Sequence, residues 1–438
     1  MSNNNMDEKK WYKVDNLAIV YTSTQDKKSE NIFRLAAIMK EPIEPALLQQ
    51  ALEITMQRFP YFAVRVRRGL FWNYLEQNKR PLPKIEHDVF EPTRPIDKAM
   101  NNNFLFRVLY YEKRISLEIF HGLCDGYGAT FLLQTLLANY LRLKGHYIPT
   151  GFGVLDMDEP IDPQEYEDAY IRYGKLGKQA SEKKLTSNGK VYRNKGTHIP
   201  QSRRVDVTTG ILPVDKCLEL ARSKNVTLTE YMTALLMYNL YKKQKNERSI
   251  FDRKMKEYKI RAAVPVNCRP YFKTKTLRNF FLVINPTIHP DISDYTFDEV
   301  LKDVKTAMAY YINPKMFLSE IAGGIKIETN ILARPVPLFL KKRVVSAFYK
   351  FLGEKHNSIK FSNVGNFKTP KEMEQHIERI ETIMGRPLSE TLQCGLISFK
   401  NNLAITFNSI IREKDIEKDF FTHFVKKGIP VQIESNAD

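Results

Sequence analysis

Cysteine is scarce in this chain: 438 residues hold four, Cys124, Cys217, Cys268 and Cys394, each far from the next. Such spacing excludes a CxxC metal or redox pair and a disulfide-stapled scaffold, and it fits a reducing compartment. Long apolar runs are missing as well. No stretch of about 18 uninterrupted apolar residues occurs, which argues against a transmembrane helix. Met1 to Lys13 is Asn-rich and charged, unlike the apolar region of a secretory signal, so a cytoplasmic protein is expected. The eight histidines show no HxxxH or HExxH spacing, and no metal site is expected.

What is abundant is positive charge. Lys and Arg number 68 against 50 Asp and Glu, a net charge of +18 that draws anions such as phosphates or anionic lipid to the surface. The basic residues run from Lys9 to Lys427 without a helix-turn-helix, zinc-finger or RNA-binding aromatic motif, so nucleic acid is not an expected partner. With 43% hydrophobic residues, a chain of this length has material for two or three cores.

Strand and helix periods alternate throughout. Phe62, Val64 and Val66 interleave with Arg65 and Arg67 before Gly69, which predicts a hairpin with Leu70–Leu75. Before it, Leu48, Leu52, Thr55 and Phe59 mark one face of a helix after Pro45. A second hairpin is predicted from Phe104–Tyr111 and Ile115–Phe120, turning at Glu112-Lys113-Arg114. From Asp158 to Arg204 charges are frequent and apolar positions few, the pattern of a crossover between two halves. This divides the chain into an N-terminal lobe (1–175), a crossover linker (176–205) and a C-terminal lobe (206–438). In the second half, helices are expected at Val214–Lys224, after the capping-box spacing Thr227-Leu228-Thr229-Glu230, and at Phe297–Tyr311. Strands are expected at Arg261–Val266 and Phe280–Ile288, and a hairpin from Leu392–Phe399 and Leu403–Ile411. Pro337–Leu352 reads as a basic amphipathic helix. Packing on the sheet is its ordinary reading, and peripheral membrane contact is the alternative.

Chemistry concentrates at His121-Gly122-Leu123-Cys124-Asp125-Gly126. A predicted strand leads in, and a helix with Leu132, Leu133, Leu136, Leu137, Tyr140 and Leu141 inward leads out, to a stop at Gly145. A histidine at such a junction can take a proton from an attacking alcohol or amine near neutral pH, having an ordinary pKa of ~6.5. Cys124 beside it fits packing better than nucleophilic work.

The motif resembles that of the superfamily of chloramphenicol-acetyltransferase-like folds, which includes peptide-synthetase condensation domains, plant BAHD acyltransferases and microbial alcohol acetyltransferases. That resemblance implies an α/β fold of two such lobes, each a mixed sheet with packed helices, and a tunnel between them. It makes His121 the general base and Asp125 a structural residue paired with an arginine, for which Arg269 in Val264-Pro265-Val266-Asn267-Cys268-Arg269-Pro270 is the candidate. Phe361-Ser362-Asn363-Val364-Gly365-Asn366-Phe367 is similar to the Ser-Asn-x-Gly stretch of the alcohol-acetyltransferase relatives. Gly126, Ser362 and Asn363 are therefore candidates for contacting substrate or the oxyanion. Phe120 stands where condensation domains carry a second histidine, and the Asp-Phe-Gly-Trp-Gly box of the plant enzymes is missing, which shifts the likeness toward the microbial branch.

The activity implied is transfer of an acyl group, acetyl first, from a coenzyme A thioester to an alcohol, with acyl-CoA a co-substrate rather than a bound cofactor. Two alternatives stand beside it. One is a free-standing condensation-type enzyme using a carrier-protein donor. The other is a catalytically silent module that holds a lipid or other small molecule.

Overall fold

A computed structural model describes residues 11–24, 31–89, 91–177, 190–200, 204–251, 257–329, 336–337, 357–387 and 390–436. Val64–Arg68 and Asn73–Gln77 pair antiparallel around Gly69, the first predicted hairpin, and Trp11–Lys13 adds a third strand beside Asn73–Gln77. The second hairpin pairs Phe106–Tyr111 with Arg114–Phe120 and carries Glu112 in its turn at φ 47°.

Arg114–Phe120 is the middle strand of a five-stranded sheet. Ile32–Met39 flanks it on one side, followed by Ile377–Ile383, and Phe106–Tyr111 and Glu86–His87 complete the other. Thus a strand from the last quarter of the chain closes the sheet of the first lobe. Glu118, fully buried in the middle strand, accepts from Arg34 and Arg107 at 2.8 Å each. A carboxylate so deep persists because cations satisfy it. Helices Pro45–Arg58 and Gly126–Leu143 pack together on this sheet. Every apolar position expected inward on the second of them is buried, and each such side chain contributes ~1.5–3 kcal/mol relative to exposure. Gly145, at φ 90°, takes the left-handed conformation that ends the helix.

The second sheet runs in the order Phe281–Ile284, Ile260–Asn267, Ile359–Asn366, Leu392–Phe399, Asn402–Ser409, Asp206–Pro213, Gln432–Ser435. The single strand expected over Phe280–Ile288 is two, Phe281–Ile284 and Thr287–Ile288, both paired with Ile260–Asn267. Pro286 divides them because it has no N–H to give a ladder. Helices Val214–Ser223, Leu228–Phe251 and Phe297–Tyr311 lie where expected. The Thr227 hydroxyl accepts from the Glu230 N–H at 3.2 Å while the Glu230 carboxylate accepts from the Thr227 N–H at 2.7 Å, the reciprocal cap that the spacing predicts.

The described parts of the charged stretch 158–204 carry secondary structure that its composition does not imply. Helix Ala169–Gly174 buries Tyr170 and Tyr173 against Phe280 and helix Pro314–Thr329, and Val191 and His198 form single bridges to Lys259 and Ile411. Residues 178–189 and 201–203 of the crossover, and all but Pro337 of the expected basic helix Pro337–Leu352, lie outside the described residues. Among the described residues, no helix is long and apolar enough to cross a membrane.

Candidate active site

Strand Arg114–Phe120 ends one residue before His121, and helix Gly126–Leu143 begins one residue after Asp125. The tight turn between them brings both side chains to the seam where the first lobe meets residues 267–281 of the second. Asp125 caps the helix by accepting from the Gly128 N–H at 3.2 Å. At the same time it accepts two hydrogen bonds from Arg269, at 2.9 and 3.2 Å, and one from the Phe280 N–H at 2.9 Å. Both members of the pair are buried. The guanidinium donates further to the Asn267 side chain at 3.0 Å, to the Thr276 carbonyl at 2.7 Å and to the Arg278 carbonyl, and it stacks 4.4 Å from the centre of the Tyr127 ring. A bidentate pair with this many satisfied donors is a structural clamp. Gly128 allows the close approach: a Cβ there would lie 1.9 Å from the Leu277 carbonyl oxygen.

His121 is half-buried among aromatic rings. Tyr21 stacks on it at 4.7 Å, Phe33 tilts against it at 4.9 Å, and Phe281 lies at 5.6 Å. Nδ1 is 3.2 Å from the Asn279 side-chain oxygen, and the Asn279 amide nitrogen donates to the His121 carbonyl at 3.0 Å and to Asp15 at 3.2 Å. Burial holds the imidazole below its ordinary pKa, with the Asp125 carboxylate opposing, which keeps the ring neutral near pH 7. Cys124 is fully buried and burial pushes its thiol well above the ordinary range, so it is packing rather than a nucleophile.

The late segment comes close as well. A Val364 methyl lies 3.7 Å from where a Gly126 Cβ would sit, and the Gln134 amide of the motif helix donates to the Lys368 carbonyl. Asn363 donates to the Thr229 hydroxyl at 2.9 Å and accepts from the Gly365 N–H at 2.9 Å, at a bulge where Gly365 adopts φ 96°. Those contacts make Asn363 a turn-former. Ser362, one residue earlier, is half-buried, and among the described residues its hydroxyl meets no hydrogen-bond partner. A cavity of about 570 Å³ lined by Pro45, Gln49, Leu82, Ile85 and Tyr110 belongs to the first lobe and is not lined by His121. No group of three potential metal ligands occurs among the described residues.

Sequence reasoning did not reach Asn279, Asp15 or Tyr21. The available signal for Asn279 was a lone amide opening the apolar run Phe280-Phe281-Leu282-Val283-Ile284. For Asp15 it was the N-cap position before the apolar segment Leu17–Val20.

The architecture is that of the condensation-domain and acyltransferase fold. A trichothecene 15-O-acetyltransferase, TRI3 from Fusarium sporotrichioides, superposes with TM-score 0.60 at 12% identity, over 94% of this chain and 93% of that one. Polyketide synthase associated protein 5 from Mycobacterium tuberculosis does so with TM-score 0.58 at 14% identity, over 94% and 96%. A variant of the starter condensation domain of rhizomide synthetase RzmA, in complex with C8-CoA, follows with TM-score 0.57 at 12% identity, over 95% and 93%. Within this fold, residues 199–283 match the alcohol acetyltransferase family model, a segment that holds Arg269 and Asn279 but not His121, Asp125, Asp15, Tyr21 or Ser362. No curated protein matches the sequence.

Proposed function

We propose that the protein is an acyltransferase that moves an acyl group, acetyl in the first instance, from a coenzyme A thioester to an alcohol, with His121 as general base. The observation that carries this reading is the His121 ring itself: an imidazole at the lobe seam whose burial lowers its pKa, its loop clamped by the buried Asp125–Arg269 pair. A base of this kind accepts the proton of the acceptor hydroxyl as the oxygen attacks the thioester carbonyl. The tetrahedral intermediate then collapses, its oxyanion re-forming the carbonyl as the thiolate leaves and takes up that proton. Ser362 is the proposed oxyanion donor, and Gly126, heading the helix, offers its positive N-terminal end nearby. The expected tunnel would deliver acyl-CoA and acceptor to the two sides of the ring.

Support comes from the alcohol acetyltransferase match and from relatives of this fold named as an O-acetyltransferase and as a C8-CoA complex. The test is release of free thiol from acetyl-coenzyme A in the presence of a panel of alcohols and amines. Turnover with an alcohol supports the reading. No release above buffer with any acceptor favours the silent binding module. A condensation-type enzyme with a carrier-protein donor is the second reading, since the fold is shared with peptide-synthetase domains.

A further inference from the structure

The Asn279 side chain is buried and in contact with three acceptor or ambivalent groups at once. Its amide nitrogen faces the His121 carbonyl oxygen at 3.0 Å and the Asp15 carboxylate at 3.2 Å. Both of those are acceptors, so the end of the amide that meets them must be the NH₂ group. Rotating the amide by half a turn would set its oxygen against a carbonyl and a carboxylate and leave two lone-pair groups opposed. The amide oxygen therefore points at His121 Nδ1, 3.2 Å away, and an amide oxygen only accepts. Hence Nδ1 carries the proton and Nε2 carries the lone pair.

We propose that Asn279 is a positioning residue that, beside the backbone carbonyl of His121 itself, helps fix the tautomer of His121, with Asp15 and the His121 carbonyl locking the amide in the orientation that does so. This deepens the general-base reading and rests on it. Asp15 is itself held in place: it accepts from the Ala18 N–H at 2.8 Å as the cap of helix Asn16–Thr24, and Arg278 reaches it at 3.4 Å while also donating to the Lys13 carbonyl at 2.7 Å. Burial pushes the Asp15 carboxyl up to about 6, with Arg278 opposing. Protonated or not, Asp15 keeps an acceptor oxygen toward Asn279, and the His121 carbonyl is a permanent one. The same helix carries Tyr21, whose ring stacks on the imidazole at 4.7 Å with the planes 28° apart. Helix Asn16–Thr24 thus fixes the plane of the ring through Tyr21 and its protonation pattern through Asp15 and Asn279. Orienting an imidazole through the hydrogen bond of its other nitrogen is the general way a histidine is made to present one lone pair.

The test is spectroscopic and needs no turnover. Full-length protein labelled with ¹⁵N-histidine is examined at pH 8, the His121 signals being assigned by their loss in His121→Ala. A protonated, pyrrole-type Nδ1 with an unprotonated, pyridine-type Nε2 is the expected result, and the reverse pattern overturns the proposal even if no Asn279 or Asp15 variant folds. Asn279→Leu, nearly isosteric and unable to accept, should weaken that pattern and lower kcat by between about 10- and 10⁴-fold, the upper end being the cost of a wrong-tautomer imidazole elsewhere. KM should stay within about twofold. A folded Asn279→Leu protein with the native ¹⁵N pattern and unchanged kcat overturns the proposal. Asp15→Asn, which keeps an acceptor oxygen, should retain more of the pattern than Asp15→Ala, and equal loss in the two removes Asp15 from it. If the pattern is found but no alcohol is acylated, the acyl-transfer reading fails and the tautomer assignment stands.

Discussion

Asp125 and Arg269, 144 residues apart in sequence, meet through two hydrogen bonds of 2.9 and 3.2 Å across the seam of the two lobes. Because Asp125 is also the helix cap, Asp125→Ala removes a cap and strands a buried guanidinium together. Breaking such a pair typically costs ~3–5 kcal/mol. Denaturant unfolding of the variant should show a loss of that order, accompanied by loss of activity. A midpoint within error of the wild type would mean the pair is not holding the loop.

His121→Ala should behave in the opposite way. The fold should melt as the wild type does, while turnover drops by ~10²–10⁴-fold, the range general-base catalysis supplies. Retention of more than about a third of wild-type turnover, far outside that range, would take His121 out of the reaction.

The pH dependence follows from the direction of the His121 shift. Burial lowers its pKa from the ordinary 6.5, so the neutral base persists in the folded protein below that pH. In the pH profile of kcat/KM, the acid limb assigned to His121 should lie below 6.5. The unfolded chain binds this proton first as pH falls, so the contribution of His121 to stability is present above the unfolded value and is lost as pH falls through the lower native one. An acid limb above 6.5 would contradict the burial argument.

Ser362 and Asn363 should separate cleanly. With its hydroxyl meeting no partner among the described residues, Ser362 should lose ~10²–10³-fold in turnover on replacement by alanine if it meets the oxyanion. Asn363→Ala, which removes contacts to Thr229 and Gly365, should instead cost about 1 kcal/mol of stability per hydrogen bond with a small kinetic effect. Turnover unchanged in Ser362→Ala would leave the oxyanion to backbone groups.

For the donor, acetyl-coenzyme A should be used with higher kcat/KM than acetyl-phosphopantetheine, which lacks the nucleotide and its phosphates. Binding energy from remote groups raises transition-state stabilisation only when those groups are present. Equal efficiency for the two would turn the reading toward a carrier-protein donor.

Much of this was legible in the sequence, for local reasons. The hairpins at Gly69 and Glu112, the cap at Thr227 and the strand–motif–helix order around His121 each depend on a few neighbouring residues. Arg269 was reached only through the family resemblance. Ile32–Met39 escaped because six of its eight residues in succession are buried, which erases the alternation that marks a half-exposed strand. Asn279 and Asp15 escaped for another reason: they are 264 residues apart, and the meaning of each lies in the other.

The strand Ile377–Ile383 has a consequence for biosynthesis. Until the ribosome has passed residue 383, Ile32–Met39 has one neighbour and an open hydrogen-bonding edge. The nascent first half must wait through some 340 residues of synthesis for the partner that seals it, which at ~5–20 residues per second is a delay of tens of seconds. Order of emergence and order of completion are therefore inverted, and the half made first is the half exposed longest to aggregation. A gene fragment encoding residues 1–175 alone would produce that unsealed edge permanently, and the severed half should be recovered as aggregate unless the missing strand is supplied in trans.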